Sequence, residues 1–240
     1  MATILNIDTS TDVCSVALSA DGMVLYQLND ASGRNHAALL SDFIKACLDH
    51  LQQHEMTLDA VAVSMGPGSY TGLRIGLSEA KGLAYALNIP LIGVDTLKLL
   101  AVTAMFSPEY DDQDFFFPMI DARRMEVFTA VFDRALNYVL PQQALILDNG
   151  GFDEALKKVS EGSEQTFILC GNGSDKAKQL VEQMPERQQR LTFMPDIVPL
   201  AQNMTALSEQ AWMRKDFIDV AYSVPNYIKA FQATTPKKLI

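Results

Sequence analysis

The sequence predicts the α/β class, on three observations. Residues 61–88 read as strand, tight loop and helix: an apolar Val61-Ala-Val-Ser-Met65, the turn Gly66-Pro-Gly-Ser-Tyr-Thr-Gly72, then a run to Leu87 and Asn88. Strand-like and helix-like patterns alternate up to residue 105. The second half opens as the first does, with a hairpin whose first strand ends in Asp, here Asp121 against Asp8, which hints at a duplicated architecture.

In chain order, residues 3–7, 13–18 and 23–28 form three strands, the last two joined by Asp21-Gly22, a strong hairpin signal. Residues 36–54 form an amphipathic helix, since Leu39, Leu40, Phe43, Ile44, Cys47, Leu48 and Leu51 recur at three- and four-residue steps. The strand at 61–65 and the helix at 71–87 follow; Ser69 or Thr71 can cap that helix, and Asn88 before Pro90 ends it. A strand at 91–94 leads to a helix at 97–105, capped by Asp95 or Thr96. The acidic, turn-rich stretch 107–114 marks a boundary. Beyond it lie strands at 115–120 and 125–132 and a helix near 151–160. A strand at 166–170, a helix near 174–184, a strand near 191–194 and a helix at 199–213 complete the set. The expected division is residues 1–108, 109–222 and a tail, 223–240, that packs back on the N-terminal lobe.

At 240 residues, 48% hydrophobic and 20% charged, the chain has ample material for a core and no disorder signature. Three widely spaced cysteines, Cys14, Cys47 and Cys170, read as reduced, buried thiols of a cytoplasmic protein. No leader or membrane-length apolar run is expected. A net charge of −10 argues against gripping nucleic acid unaided, because phosphate contacts dominate that affinity.

The loop at 66–72 feeds a helix N-terminus, which suits an anion. It lacks the P-loop pattern, however, and Lys81 lies far down the helix. Asp8 could hold Mg²⁺ through water; alternatively Asp8, Thr9 and Ser10 bond their own turn. His50 and His54 are half of a zinc-protease pattern without its Glu, so no metal site is expected. Gly72, Gly76 and Ala80 share one helix face. Glycine costs about 1 kcal/mol in a helix, so another backbone is expected there, from this chain's own sheet or helices or from another protein.

Three stretches, ILNIDTSTDVCSVAL at the N-terminus, GPGSYTGLRIGLSEAKGLAYALNIPLIGVDTLKLLA in the middle and DARRMEVF after the boundary, with PNYIK near the end, resemble the TsaB (YeaZ) family. Met125 stands where that family usually has Gly. The resemblance implies an actin-like, sugar-kinase-like ATPase fold: two related lobes, each a mixed sheet flanked by helices. It implies a non-catalytic scaffold subunit that pairs directly with TsaD, works with TsaE, and meets tRNA only through the complex that transfers threonylcarbamoyl to adenosine. ATP and metal would be handled by the partners, with no cofactor bound by this chain alone. A homodimer is the alternative when TsaD is absent. The expected docking surface comprises His36, Leu39, Leu40, Phe43, Gly72, Ile75, Gly76, Glu79, Ala80 and Leu83, with the glycines letting partner helices approach. Asp8, Ser10, Gly66, Pro67, Gly68, Ser69, Thr71, Arg74, Asp121 and Arg123 are the expected structural loop positions. The rivals are a nucleotide-binding ATPase or kinase, using Asp8, the Gly66–Gly72 loop and Asp121, and a metallopeptidase using His50 and His54.

Overall fold

The computed structural model describes residues 2–33, 35–108, 115–148, 150–160, 165–182 and 190–229. Its first sheet is built from β1 (Thr3–Asp8), β2 (Cys14–Ala20), β3 (Met23–Asp30), β4 (Ala60–Gly66) and β5 (Leu91–Asp95) in the order β3-β2-β1-β4-β5. The first three strands are antiparallel, whereas β4 and β5 run parallel to β1. Strand alternation sorts β1 into two faces. Leu5 and Ile7 enter a core with Leu40, Ile44, Cys47 and Leu51 of α1 (His36–Gln53) and Leu77, Ala80 and Ala84 of α2 (Tyr70–Leu87). Ile4 faces the opposite side.

The second sheet comprises β6 (Phe115–Asp121), β7 (Glu126–Phe132), β8 (Tyr138–Ile146), β9 (Phe167–Cys170) and β10 (Leu191–Met194). Its order, β10-β9-β6-β7-β8, reads backwards as the first sheet's order, with the same antiparallel and parallel pairings. Asp8 and Asp121 therefore end equivalent strands. The two related mixed-sheet lobes are those of the actin-like, sugar-kinase-like fold. α4 (Gly151–Ser160) and α5 (Ser174–Val181) cover the outer face of this sheet.

Between the lobes lies α3 (Thr96–Met105), apolar nearly all round as a fully enclosed helix must be. Leu97, Leu100, Ala101 and Ala104 pack on the second sheet, and Leu99 packs on the first.

Four features depart from the sequence expectation. Residues 138–146 form a strand that the sequence pattern does not announce: Pro141 and two glutamines interrupt its alternation, as an edge strand tolerates. The helix expected at 199–213 is instead a 3₁₀ turn, Ala201–Met204, followed by α6 (Thr205–Arg214). Pro199 lies in irregular chain, and the Ala201 N–H is drawn off by Ser15 Oγ at 2.9 Å. Met204, Leu207, Ala211 and Trp212 pack on the first sheet, so this stretch of residues 109–222 belongs with the N-terminal lobe. Lastly, residues 221–229 lie against both lobes, not the N-terminal one alone, and residues 230–240 of the expected tail lie outside the described residues. Residues 109–114 of the expected boundary, and the end of the helix expected to reach 184, lie outside the described residues.

Candidate functional site

α1 and α2 lie side by side, and the Ser41 hydroxyl donates to Glu79 Oε1 at 3.0 Å across them. α2 starts where Ser69 Oγ accepts the Gly72 N–H at 3.2 Å, and ends at Asn88 in the left-handed region (φ 52°). Its residues separate into faces. Gly72, Gly76 and Ala80 are buried against this chain's own β1–β2 turn and β4. A Cβ at Gly72 would land on the carbonyl oxygen of Thr9, and one at Gly76 on the Thr9 hydroxyl. Those three, with Leu40 fully inside the core, are unavailable to a partner. The backbone that glycine makes room for is internal, which corrects their expected role.

Ile75, Glu79 and Leu83 form a second face, four residues apart and half-buried beside α1. With Leu39 and Phe43, equally half-buried on α1, they make a shallow apolar ridge. His36 stands at its end, its Nε2 2.8 Å from the Thr11 carbonyl oxygen. Tyr85, two residues past Leu83 and so on another face of α2, is 82% exposed.

The loop residues serve to join elements. Asp8 is wholly buried, and both the N–H and hydroxyl of Ser10 donate to it (3.2 and 3.0 Å). Burial pushes the Asp8 carboxyl up to about 6, with the Ser64 and Ser10 hydroxyls opposing. Thr9 Oγ1 donates to Gly72 O at 2.8 Å, and the Ser69 N–H donates to Ser10 O at 2.7 Å. The β1–β2 turn is thus stitched onto the start of α2, just where an anion would otherwise sit. Gly66, at φ 107°, lies so close to the Asn226 carbonyl that a Cβ would be 2.8 Å from it. Pro67 is buried behind it and Thr71 is exposed. Arg74 stacks 4.1 Å over the Tyr70 ring and donates to Tyr227 OH at 2.9 Å.

On the second lobe, Asp121 Oδ1 accepts from the Arg123 N–H (2.6 Å) and from Lys176 Nζ (2.7 Å). Arg123 and Arg124 both take left-handed φ, at 68° and 46°, which bends the chain into β7 without the glycine usual at position 125. The His50 and His54 rings lie 4.2 Å apart, with His50 stacked on Tyr26. Among the described residues no group of three or more His, Cys, Asp or Glu could hold a metal ion. No helix there is long and apolar enough to cross a membrane. Burial pushes the Cys47 and Cys170 thiols up to about 12.

A family model described as TsaD, tRNA N6-adenosine threonylcarbamoyltransferase, matches residues 29–239. The tRNA threonylcarbamoyladenosine biosynthesis protein TsaB of Bacillus subtilis is 30% identical over 236 residues, 96% of each chain. The chain belongs to the TsaB (YeaZ) family. The TsaB of Escherichia coli is 37% identical over 134 residues, 56% of each chain. YeaZ from Pseudomonas aeruginosa superposes with a TM-score of 0.76 at 27% identity, covering 95% of this chain and 100% of that one. The TsaB motifs in this chain have a structural meaning: the N-terminal one forms the β1–β2 turn, the central one forms β4, its loop and α2, and the two are locked together through Thr9 and Ser10.

Proposed function

We propose that this chain is the accessory, non-catalytic subunit in forming threonylcarbamoyladenosine on tRNA, and that it activates TsaD by docking the ridge of α1 and α2 on it. The observation that carries the reading is the ridge itself. Leu39, Phe43, Ile75 and Leu83 hold apolar area at the surface of two paired helices, while the glycine face turns inward. A two-helix ridge meeting two helices of a partner makes a four-helix bundle. A non-catalytic role is supported by the way the candidate groups are engaged: Asp8 by Ser10, Asp121 by Lys176, the start of α2 by Ser10. TsaE would join the complex at another surface, tRNA would be bound only by the assembly, and ATP and metal would be held by the partners. Without TsaD the same ridge would pair with a second copy.

The test is co-purification with TsaD followed by a tRNA modification assay omitting each subunit in turn. This chain alone is expected to give no product, and its omission is expected to abolish product. Product formed without it, or by it alone, overturns the reading.

A further inference from the structure

Residues 221–229 run across both lobes as an irregular segment, tied down at each end by side chains. On the first lobe, the Lys81 ammonium donates to the carbonyls of Ala221 (2.8 Å) and Ser223 (3.1 Å). The Asn226 N–H donates to Met65 O at 2.7 Å, and the Tyr227 ring packs tilted at 34° against that of Tyr70 with centroids 4.9 Å apart. These anchors use Tyr70, Arg74 and Lys81, a face of α2 distinct from the ridge. On the second lobe, Asn226 Nδ2 donates to Gln142 Oε1 at 2.6 Å, and Lys229 pairs with Glu126.

Gln142 makes this more than a surface cover. Its other amide end donates to Tyr138 OH at 3.3 Å, and Tyr138 donates to Asp95, which caps α3 by accepting the Leu97 N–H at 2.8 Å. One hydrogen-bonded relay therefore runs from the N-cap of the central helix, through β8, to the segment and back to the β4 carbonyl. α3 contributes contacts of a different kind. Its apolar faces hold the lobes together by non-directional packing, and small shear of packed elements is a known mode of lobe motion. Hydrogen bonds are directional, so the relay fixes what the apolar contact leaves free.

We propose that residues 221–229 are a strap that sets the angle between the two lobes and couples α2 to the second sheet. The inference is independent of which partner the ridge takes.

The test uses the full chain labelled with nitroxides at Gln52→Cys on α1 and Lys158→Cys on α4, both exposed, with the three native cysteines buried. Inter-label distance distributions are compared with those of two altered forms. One is truncated after Ser223. The other carries Asn226→Ala with Lys229→Ala, which cuts only the side-chain ties to the second lobe and keeps the fold if the truncation does not. Both are expected to broaden the distribution, and amide protection in β8 is expected to fall about tenfold. An unchanged distribution in the double variant, or lost protection confined to residues 65–74, overturns the proposal.

Discussion

Asp8 is a carboxylate that burial has made reluctant to ionise. Its folded pKa, about 6, lies above its ordinary 3.8, so the native state holds a proton that the unfolded chain releases. The contribution of this group is fully favourable below pH 3.8 and is lost as pH rises through 6. Above that, the buried charge costs on the order of 3 kcal/mol, two pKa units at 1.36 kcal/mol each and a little more. Asp8→Asn is therefore expected to flatten the stability difference between pH 5 and pH 8 in urea titrations; a slope equal to the parent's would refute the burial account. Gly72 makes the second residue-scale case. Alanine there should gain about 1 kcal/mol of helix propensity yet put a Cβ on the Thr9 carbonyl. Overpacking against backbone dominates, and the expected net loss is about 2 kcal/mol of unfolding free energy, read as a lowered urea midpoint. A stabilised Gly72→Ala protein would mean that the β1–β2 turn yields. The four-residue spacing of Gly72, Gly76 and Ala80 was legible in the sequence, but their neighbour was not. Small residues report that something comes close, and only the tertiary position of Thr9 says what.

α2 illustrates how one helix serves three neighbours: the sheet through residues 72, 76 and 80, α1 through 75, 79 and 83, and the strap through 70, 74 and 81. This changes which substitutions test docking. Gly76→Leu would damage the fold itself. Leu39→Asp with Leu83→Asp places charge on the half-buried ridge, lowers the melting temperature because both leucines pack on the core, and is expected to weaken TsaD binding about tenfold or more in a pull-down titration of the folded variant. Undiminished binding by a folded double variant would move the interface elsewhere. Elements with long, clean periodicity, such as α1, β4 and α2, were readable because the pattern spans several turns. β8 was not, since an edge strand tolerates the exposed Pro141 and the half-buried Gln142 and Gln143 that break its alternation. α6 was readable as a helix but not as a helix of the first lobe, because its apolar residues name no partner sheet.

At the scale of the whole molecule, two equivalent strand ends hold a carboxylate each in different surroundings. The first-lobe Asp8 is enclosed among hydroxyls, and the second-lobe Asp121 is exposed and paired to Lys176. A nucleotide with Mg²⁺ between these turns would need both carboxylates free or water-bridged, and an open helix N-terminus for its phosphates. Here Ser10 O accepts the Ser69 N–H, and a Cβ at Gly68 would strike that same carbonyl, so the loop and the turn are already in contact. Opening them would break the Thr9–Gly72 and Ser69–Ser10 bonds and expose the buried Asp8, a rearrangement that nucleotide binding would have to drive by itself. Titration calorimetry of the isolated chain with ATP and Mg²⁺ is therefore expected to show no binding tighter than about millimolar, roughly −4 kcal/mol. A micromolar constant would mean that the two turns separate readily, and the ATPase reading would then displace the scaffold one. The net charge of −10 bears on the same assay with tRNA in place of ATP: the lone chain should leave tRNA unbound at physiological salt, because no excess of cations is available to release its counterions.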